Sequence, residues 1–373
     1  MSQLLDKLTS KEGYEKTKVF YQHLKEAAFA RGIPLFGLFE LTPRCNLDCK
    51  MCYVHLNPGQ IKGEELTTEQ WISLIDDACR AGMMYATLTG GECLLHPGFK
   101  KIYEHLQASG VLVTILTNGT LLDEEMVVWI ADKSPQRVQI SVYGSSPGGY
   151  KAVTGCAEAF HKVDRAIELI EKAGIPFNLA ITVSRQMLND FEATLRYCKS
   201  KKPSSCNINP WPFEPREGTG RVYEDYAPSL DEQVKIFRIQ DKLRDENIQA
   251  HYCEGQAEKT GKETERTFCP EKGIACSAGR NSFSVSWDGR MLPCSIFNFA
   301  EAYPLRDGFL NSWQSMNRKC REYLNPVECV GCEYYSVCRS CPAGHYLRVG
   351  QGCANPAVCA EGRRMVAEKL RFL

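Results

Sequence analysis

Between residues 35 and 209 the chain switches repeatedly between two hydrophobic periods. Short apolar runs predict strands at Leu35–Leu41 (LFGLFEL), Met84–Thr89, Val111–Thr117, Arg137–Tyr143, Pro176–Val183 and Cys206–Asn209. Between them, apolar residues recur at helical spacing. This predicts helices over Thr68–Ala81, with Trp71, Leu74, Ile75 and Ala78 on one face, and over Gly98–Ser109, Asp123–Asp132, Phe160–Ala173 and Asn189–Lys201. A repeated strand–helix unit builds a parallel sheet with helices outside it. Right-handed crossovers curl six such strands into an α/β fold, a partial (β/α)6 TIM-like barrel. In such barrels chemistry gathers at the C-terminal strand ends. Residues 1–34 read as an N-terminal helical extension ending near Gly32 and Pro34, and residues 35–230 as the barrel. Residues 231–268 read as helix and linker, with a helix over Leu230–Glu246 and a charged loop over Glu254–Arg266. Residues 269–373 form a small cysteine-rich domain.

Composition narrows the class. The 373 residues carry 45 basic and 45 acidic side chains, so no charge field points to nucleic acid or an anionic membrane surface. The N-terminus MSQLLDKLTSKEGYEK lacks a signal-peptide core, and no apolar run is long enough to span a bilayer, which leads us to expect a cytoplasmic protein. The chain holds 19 cysteines. In a chain of this size without a secretion signal they favour metal ligation over disulfides. Three lie in one loop and ten between Cys269 and Cys359; the other six (Cys79, Cys93, Cys156, Cys198, Cys206 and Cys253) are scattered and read as small core or surface residues, as does Cys320.

The loop is CNLDCKMCY, Cys45 to Tyr53, directly after the first strand. Three thiolates at Cys45, Cys49 and Cys52 can hold three irons of a [4Fe–4S] cluster and leave the fourth open. A zinc site would call for a fourth protein ligand, which the loop does not offer. The spacing resembles that of the radical S-adenosylmethionine (SAM) enzymes, marked by Cys-x3-Cys-x-aromatic-Cys. Met51 stands in the aromatic slot, with Tyr53 one place late, and methionine is soft enough to pack over a cluster.

At the end of the second strand stands TLTGGEC, Thr87–Cys93. Two glycines allow close backbone approach, and Glu92 supplies a carboxylate expected to face the barrel mouth. Alone, Gly-Gly-Glu most often marks a turn. Here it matches the family's GGE motif, so the resemblance implies that Gly90, Gly91 and Glu92 bind the amino group of SAM. By the same resemblance Asn118, Ser141 and Arg185, at later strand ends, touch its ribose or carboxylate. The loop 210–228 (PWPFEPREGTGRVYEDYAP) reads equally as a substrate cover or a linker.

The C-terminal region begins Cys269-x6-Cys276-x12-Gly289-x4-Cys294, with a hairpin turned at Asp288-Gly289. It continues Cys329-x2-Cys332-x5-Cys338-x2-Cys341, then Cys353 and Cys359. So many cysteines with so little apolar mass imply that metal contributes the folding energy. Two zinc sites of four thiolates each would also satisfy the count. The arrangement resembles the SPASM extension, named for subtilosin, PQQ, anaerobic sulfatase and mycofactocin maturation enzymes. That resemblance implies an iron–sulfur domain with two auxiliary [4Fe–4S] clusters, for three in all. One would use Cys269, Cys276, Cys294 and Cys341, the other Cys329, Cys332, Cys338 and Cys359. The gap before Cys341 is one residue short of the usual pattern, and Cys353 could stand in for Cys359.

The family resemblance implies reductive cleavage of SAM to a 5′-deoxyadenosyl radical and oxidative modification of a substrate. The expected substrate is a ribosomally made precursor peptide, crosslinked through a thioether or carbon–carbon bond. Expected partners are a flavodoxin or ferredoxin as electron donor and, for the leader, either a separate leader-binding protein or the SPASM-like region itself. Alternatives are a small-molecule cofactor or haem-pathway enzyme, a sulfatase maturase (which Ser295 after Cys294, in place of Asp, counts against) and an iron–sulfur electron carrier, which leaves the GGE motif unexplained.

Overall fold

The computed structural model describes residues 11–216, 218–245, 251–252, 269–335, 338 and 341–368. The charged segment Glu254–Arg266 and Cys253 lie outside the described residues. Helix α1 (Lys11–Arg31) leads through Gly32, at φ +71°, into strand β1 (Phe36–Glu40). The chain then alternates through α2 (Thr68–Arg80), β2 (Tyr85–Thr89), α3 (Phe99–Ala108), β3 (Leu112–Thr117), α4 (Glu124–Lys133) and β4 (Arg137–Ser141). Next come α5 (Pro147–Thr154), α6 (Ala159–Lys172), β5 (Phe177–Thr182), α7 (Phe191–Ser200), β6 (Ser205–Asn209), α8 (Leu230–Asp245) and β7 (His251–Tyr252). The six predicted strands form with their order intact, each paired in parallel with the next, as the wall of a partial barrel.

Each strand has one apolar face. Phe39, Ala86, Leu88, Val113, Ile115, Val138 and Ile140 are buried. Phe39 meets Trp71 of α2 edge-on at 6.0 Å, which assigns this face to the surrounding helices. Trp71, Leu74, Ile75 and Ala78, the stripe predicted for α2, are all buried. Replacing Trp71 with Ala would cost about 3–5 kcal/mol through lost contact and the cavity left. The opposite strand face carries Glu40, Thr87, Gln139, Ser141, Asn207 and Asn209. Asn207 Nδ2 donates to Gln139 Oε1 across the barrel interior at 3.0 Å. The strands are thus apolar toward the helices, while the inner face mixes these polar groups with Phe36, Leu38, Tyr85 and Leu116.

The hairpin predicted at Asp288-Gly289 forms from β8 (Ser282–Val285) and β9 (Met291–Leu292), with Gly289 at φ +84°. It does not stand apart. β8 pairs in parallel with β1, so among the described residues the sheet runs β7-β6-β5-β4-β3-β2-β1-β8-β9 without a break. The cysteine-rich region is thus fixed to the barrel edge next to the strand that feeds the first cysteine loop. Helices α9 (Pro304–Asp307), α10 (Phe309–Arg321), α11 (Pro342–Val349) and α12 (Pro356–Ala367) complete it. From α10, Trp313 donates to the Gly32 carbonyl at 2.7 Å and Arg321 to those of Phe29 and Ala30, which closes the C-terminal end of α1. No described helix is long and apolar enough to cross a membrane.

Candidate active site

The barrel mouth is built outward from β1. Past Glu40 the chain runs extended beside the loop that follows β2. Gly91 N–H donates to Thr42 O and Glu92 N–H to Arg44 O, both at 2.8 Å, one residue short of Cys45. Side chains at Gly90 or Gly91 would collide with the Thr42 and Arg44 carbonyls, so both glycines are required by this close approach. Among the described residues the GGE loop and the cysteine loop are thereby held in fixed register.

The sequence reading of Glu92 needs correction. Its carboxylate is buried and does not open on the mouth. It accepts from Thr117 Oγ1 at 2.8 Å, Asn118 N–H at 2.7 Å and Leu94 N–H at 3.2 Å. Burial raises its pKa, and these donors oppose the rise. Glu92 therefore ties the end of β3 to the GGE loop, and what remains open to a ligand is backbone. Asn118 continues the tie: its Nδ2 donates to Asn46 Oδ1 at 2.9 Å and lies 3.7 Å from Cys45 Sγ.

Cys45, Cys49 and Cys52 lie near enough to act on one another's charge. Burial pushes the Cys45 thiol up to about 12 and raises Cys49 and Cys52 as well. Three thiols that resist ionisation in a buried loop call for a cationic partner before they can carry charge, which fits iron ligation. Cys49 and Ser141 both lie near enough to Tyr143 to act on its ionisation, which places Ser141 at the edge of the site. Arg185 does not join. Its guanidinium donates to the carbonyls of Glu224 and Ala227 and pairs with Glu232.

Two parts of this site were missed by sequence reasoning. One is α5, whose Thr154 and Val153 carbonyls accept from Asp48 and Lys50 N–H and back the cysteine loop. The signal was present: Ser146 caps the helix and Pro147 opens it. The other is Arg216. Both its terminal nitrogens pair with the Glu40 carboxylate, and its Nε donates to the Ser295 carbonyl at 2.5 Å. Its backbone N–H donates to Tyr53 O at 2.9 Å, and its guanidinium stands 5.8 Å from the Tyr53 ring. Burial works against the charge of Arg216, and Glu40 outweighs it. Arg221 pairs with Asp48 of the cysteine loop, and Arg348 of α11 with Glu214. The described part of the loop 210–228 is thus a strap clasped over the mouth.

In the C-terminal region Cys294 neighbours Cys276 and Cys341. Cys329 neighbours Cys332, Cys338, Cys359 and also Cys269, which the sequence resemblance grouped with Cys276. Cys353 is exposed. Cys320 is fully buried in α10, packed against Gly279. Among the described residues no three His, Cys, Asp or Glu side chains converge on one metal-ion position.

Residues 39–198 match the radical SAM superfamily. With the parallel partial barrel, this assigns a radical SAM domain to residues 39–198. An AdoMet-dependent heme synthase from Methanosarcina barkeri is 27% identical over 345 residues, 87% of this chain and 96% of that protein. A PqqA peptide cyclase from Granulibacter bethesdensis is 25% identical over 265 residues, 70% of this chain and 67% of the relative. Streptococcus suis SuiB, solved with S-adenosylmethionine, superposes with a TM-score of 0.67 at 15% identity, covering 94% of this chain and 83% of that one. At that identity the likeness shows the fold.

Proposed function

We propose that this radical SAM enzyme oxidatively crosslinks a ribosomally made peptide. In this reading Cys45, Cys49 and Cys52 hold a [4Fe–4S] cluster, and the backbone of Gly90 and Gly91 meets the amino group of SAM. When bound, cluster and SAM would supply one-electron reductive cleavage to a 5′-deoxyadenosyl radical. The chain's own part is to orient and enclose. Glu92 and Asn118 brace the loops, and the strap covers the mouth and limits water there. Two further clusters on the C-terminal cysteines would accept the second electron as the bond closes.

The observation that carries the peptide reading is the charge state of the strap. Arg216 and Arg221 are neutralised by Glu40 and Asp48, and Arg348 beside them by Glu214. Phe213 and Val222 of the same strap are exposed. Paired cations and open apolar side chains suit an extended peptide, bound through its backbone and its own apolar groups. A haem-like substrate brings carboxylates that would call for unpaired cations. SuiB has also been solved with a precursor peptide, SuiA. The heme synthase relative favours a second reading, oxidation of a tetrapyrrole.

One experiment addresses both readings. Anaerobic enzyme, SAM and a strong reductant are incubated with each precursor peptide encoded beside the gene, and separately with haem precursors. A peptide that loses the mass of two hydrogens per crosslink supports the proposal. Unchanged peptides together with a consumed tetrapyrrole would replace it with the second reading.

A further inference from the structure

Tyr323 lies just past α10 with its side chain fully buried, and its hydroxyl has no hydrogen-bond partner among the described residues. Its ring is held edge-on by Phe297 at 5.6 Å and Phe299 at 5.1 Å, and its carbonyl accepts from Gly273 N–H at 2.8 Å. The ring cannot easily swing out to reach water. A buried hydroxyl without an acceptor costs about 1–3 kcal/mol, a cost that phenylalanine would avoid in the same aromatic cage. Phe297, against the Tyr323 ring, donates its N–H to the Cys294 carbonyl at 3.2 Å, and Tyr346, on the helix that Cys341 caps, packs on Phe297 and Phe299 at 5.4 and 5.7 Å. Cys341 in turn neighbours Cys294, which neighbours Cys276. The unpaired donor therefore lies beside the thiols proposed to hold an auxiliary cluster.

We propose that the Tyr323 hydroxyl donates a hydrogen bond to sulfur of a cluster held by Cys276, Cys294 and Cys341, and thereby raises that cluster's reduction potential. The inference rests on the cluster reading given under Proposed function. A neutral phenol donates and carries no charge, and its ordinary pKa near 10 keeps it protonated at neutral pH. A donor aimed at cluster sulfur stabilises the more negative reduced state, so its removal moves the potential down. Such a donor would make this cluster the better acceptor for the electron released as the substrate bond forms.

The test compares full-length wild type, Tyr323→Phe and a control, Tyr103→Phe, after anaerobic reconstitution. Tyr103 is buried on α3 and donates to the carbonyl of Lys133, the last residue of α4, at 3.2 Å. The readouts are iron content and the midpoint potential of each cluster in an EPR-monitored titration. The expected result is equal iron in all three proteins and one auxiliary midpoint shifted to more negative potential in Tyr323→Phe alone. Full loading with every midpoint unchanged overturns the role of Tyr323 and leaves the clusters standing. Iron lost from Tyr323→Phe alone also overturns it, because the hydroxyl would then be structural. Wild type without auxiliary signals overturns the cluster reading itself.

Discussion

The Tyr53 hydroxyl donates to the Ser295 hydroxyl at 3.1 Å, across 242 residues of chain. Tyr53 follows Cys52, and Ser295 follows Cys294. The two cysteine-bearing loops therefore touch through the residues next to their thiols, and Arg216 locks the contact from the strap. Radical formation at one loop and electron uptake at the other would share a single rigid junction.

Arg216→Gln should break that junction. It leaves Glu40 buried with a charge and no partner, which typically costs about 3–5 kcal/mol. We expect a lower Tm and more 5′-deoxyadenosine formed per product, since the strap no longer holds the substrate in place. Glu40→Gln combined with Arg216→Gln should recover part of the stability but not the coupling. Thermal melts and the ratio of the two products check both points, and an unchanged ratio in Arg216→Gln would contradict the role given to the strap.

Glu92→Gln keeps the size of the side chain and replaces one acceptor oxygen with a donor facing Thr117, Asn118 or Leu94. Supporting residues of this kind typically change affinity or activity about 10–100-fold. The expected result is that loss in SAM cleavage, with iron content intact. Full cleavage activity would show that the GGE loop does not need this brace.

His96 gives a pH dependence. Burial depresses its pKa below the ordinary 6.5, while its Nδ1 accepts from Gly98 N–H at 3.1 Å. The native state holds it neutral and the unfolded chain binds the proton first. Stability from this residue is present above pH 6.5 and falls as pH drops below it, by at most about 1.4 kcal/mol per pH unit. Melting temperatures from pH 7.5 downward should fall more steeply for wild type than for His96→Gln. Parallel curves would remove His96 from the account.

Replacing Cys45, Cys49 and Cys52 together with Ala should abolish 5′-deoxyadenosine formation and leave iron in the C-terminal region. The two thiol sets sit on different loops, joined by the Tyr53–Ser295 contact and not by shared cysteines. Surviving SAM cleavage would refute the assignment of the first loop.

Strands β1 to β6 and their helices were legible in the sequence because each carries one apolar face, which fixes its period. The stripe of α2 is the clearest case, with Trp71, Leu74, Ile75 and Ala78 all buried where the spacing put them. Helix α5 offered only its cap, Ser146 before Pro147, because Gly148 and Gly149 dilute its apolar period. Helix α10 carries a legible stripe as well, with Phe309, Trp313, Met316 and Cys320 buried at helical spacing. The cysteine spacings carried the candidate ligands. Arg216 could not be found that way: its partner Glu40 lies 176 residues away, and no local pattern encodes so distant a pairing.

The most direct test of the account is the iron and acid-labile sulfide content of the anaerobically reconstituted wild-type chain. Three [4Fe–4S] clusters predict about twelve of each per chain. About four irons accompanied by stoichiometric zinc would contradict the account, leaving one catalytic cluster and a zinc-bound C-terminal region.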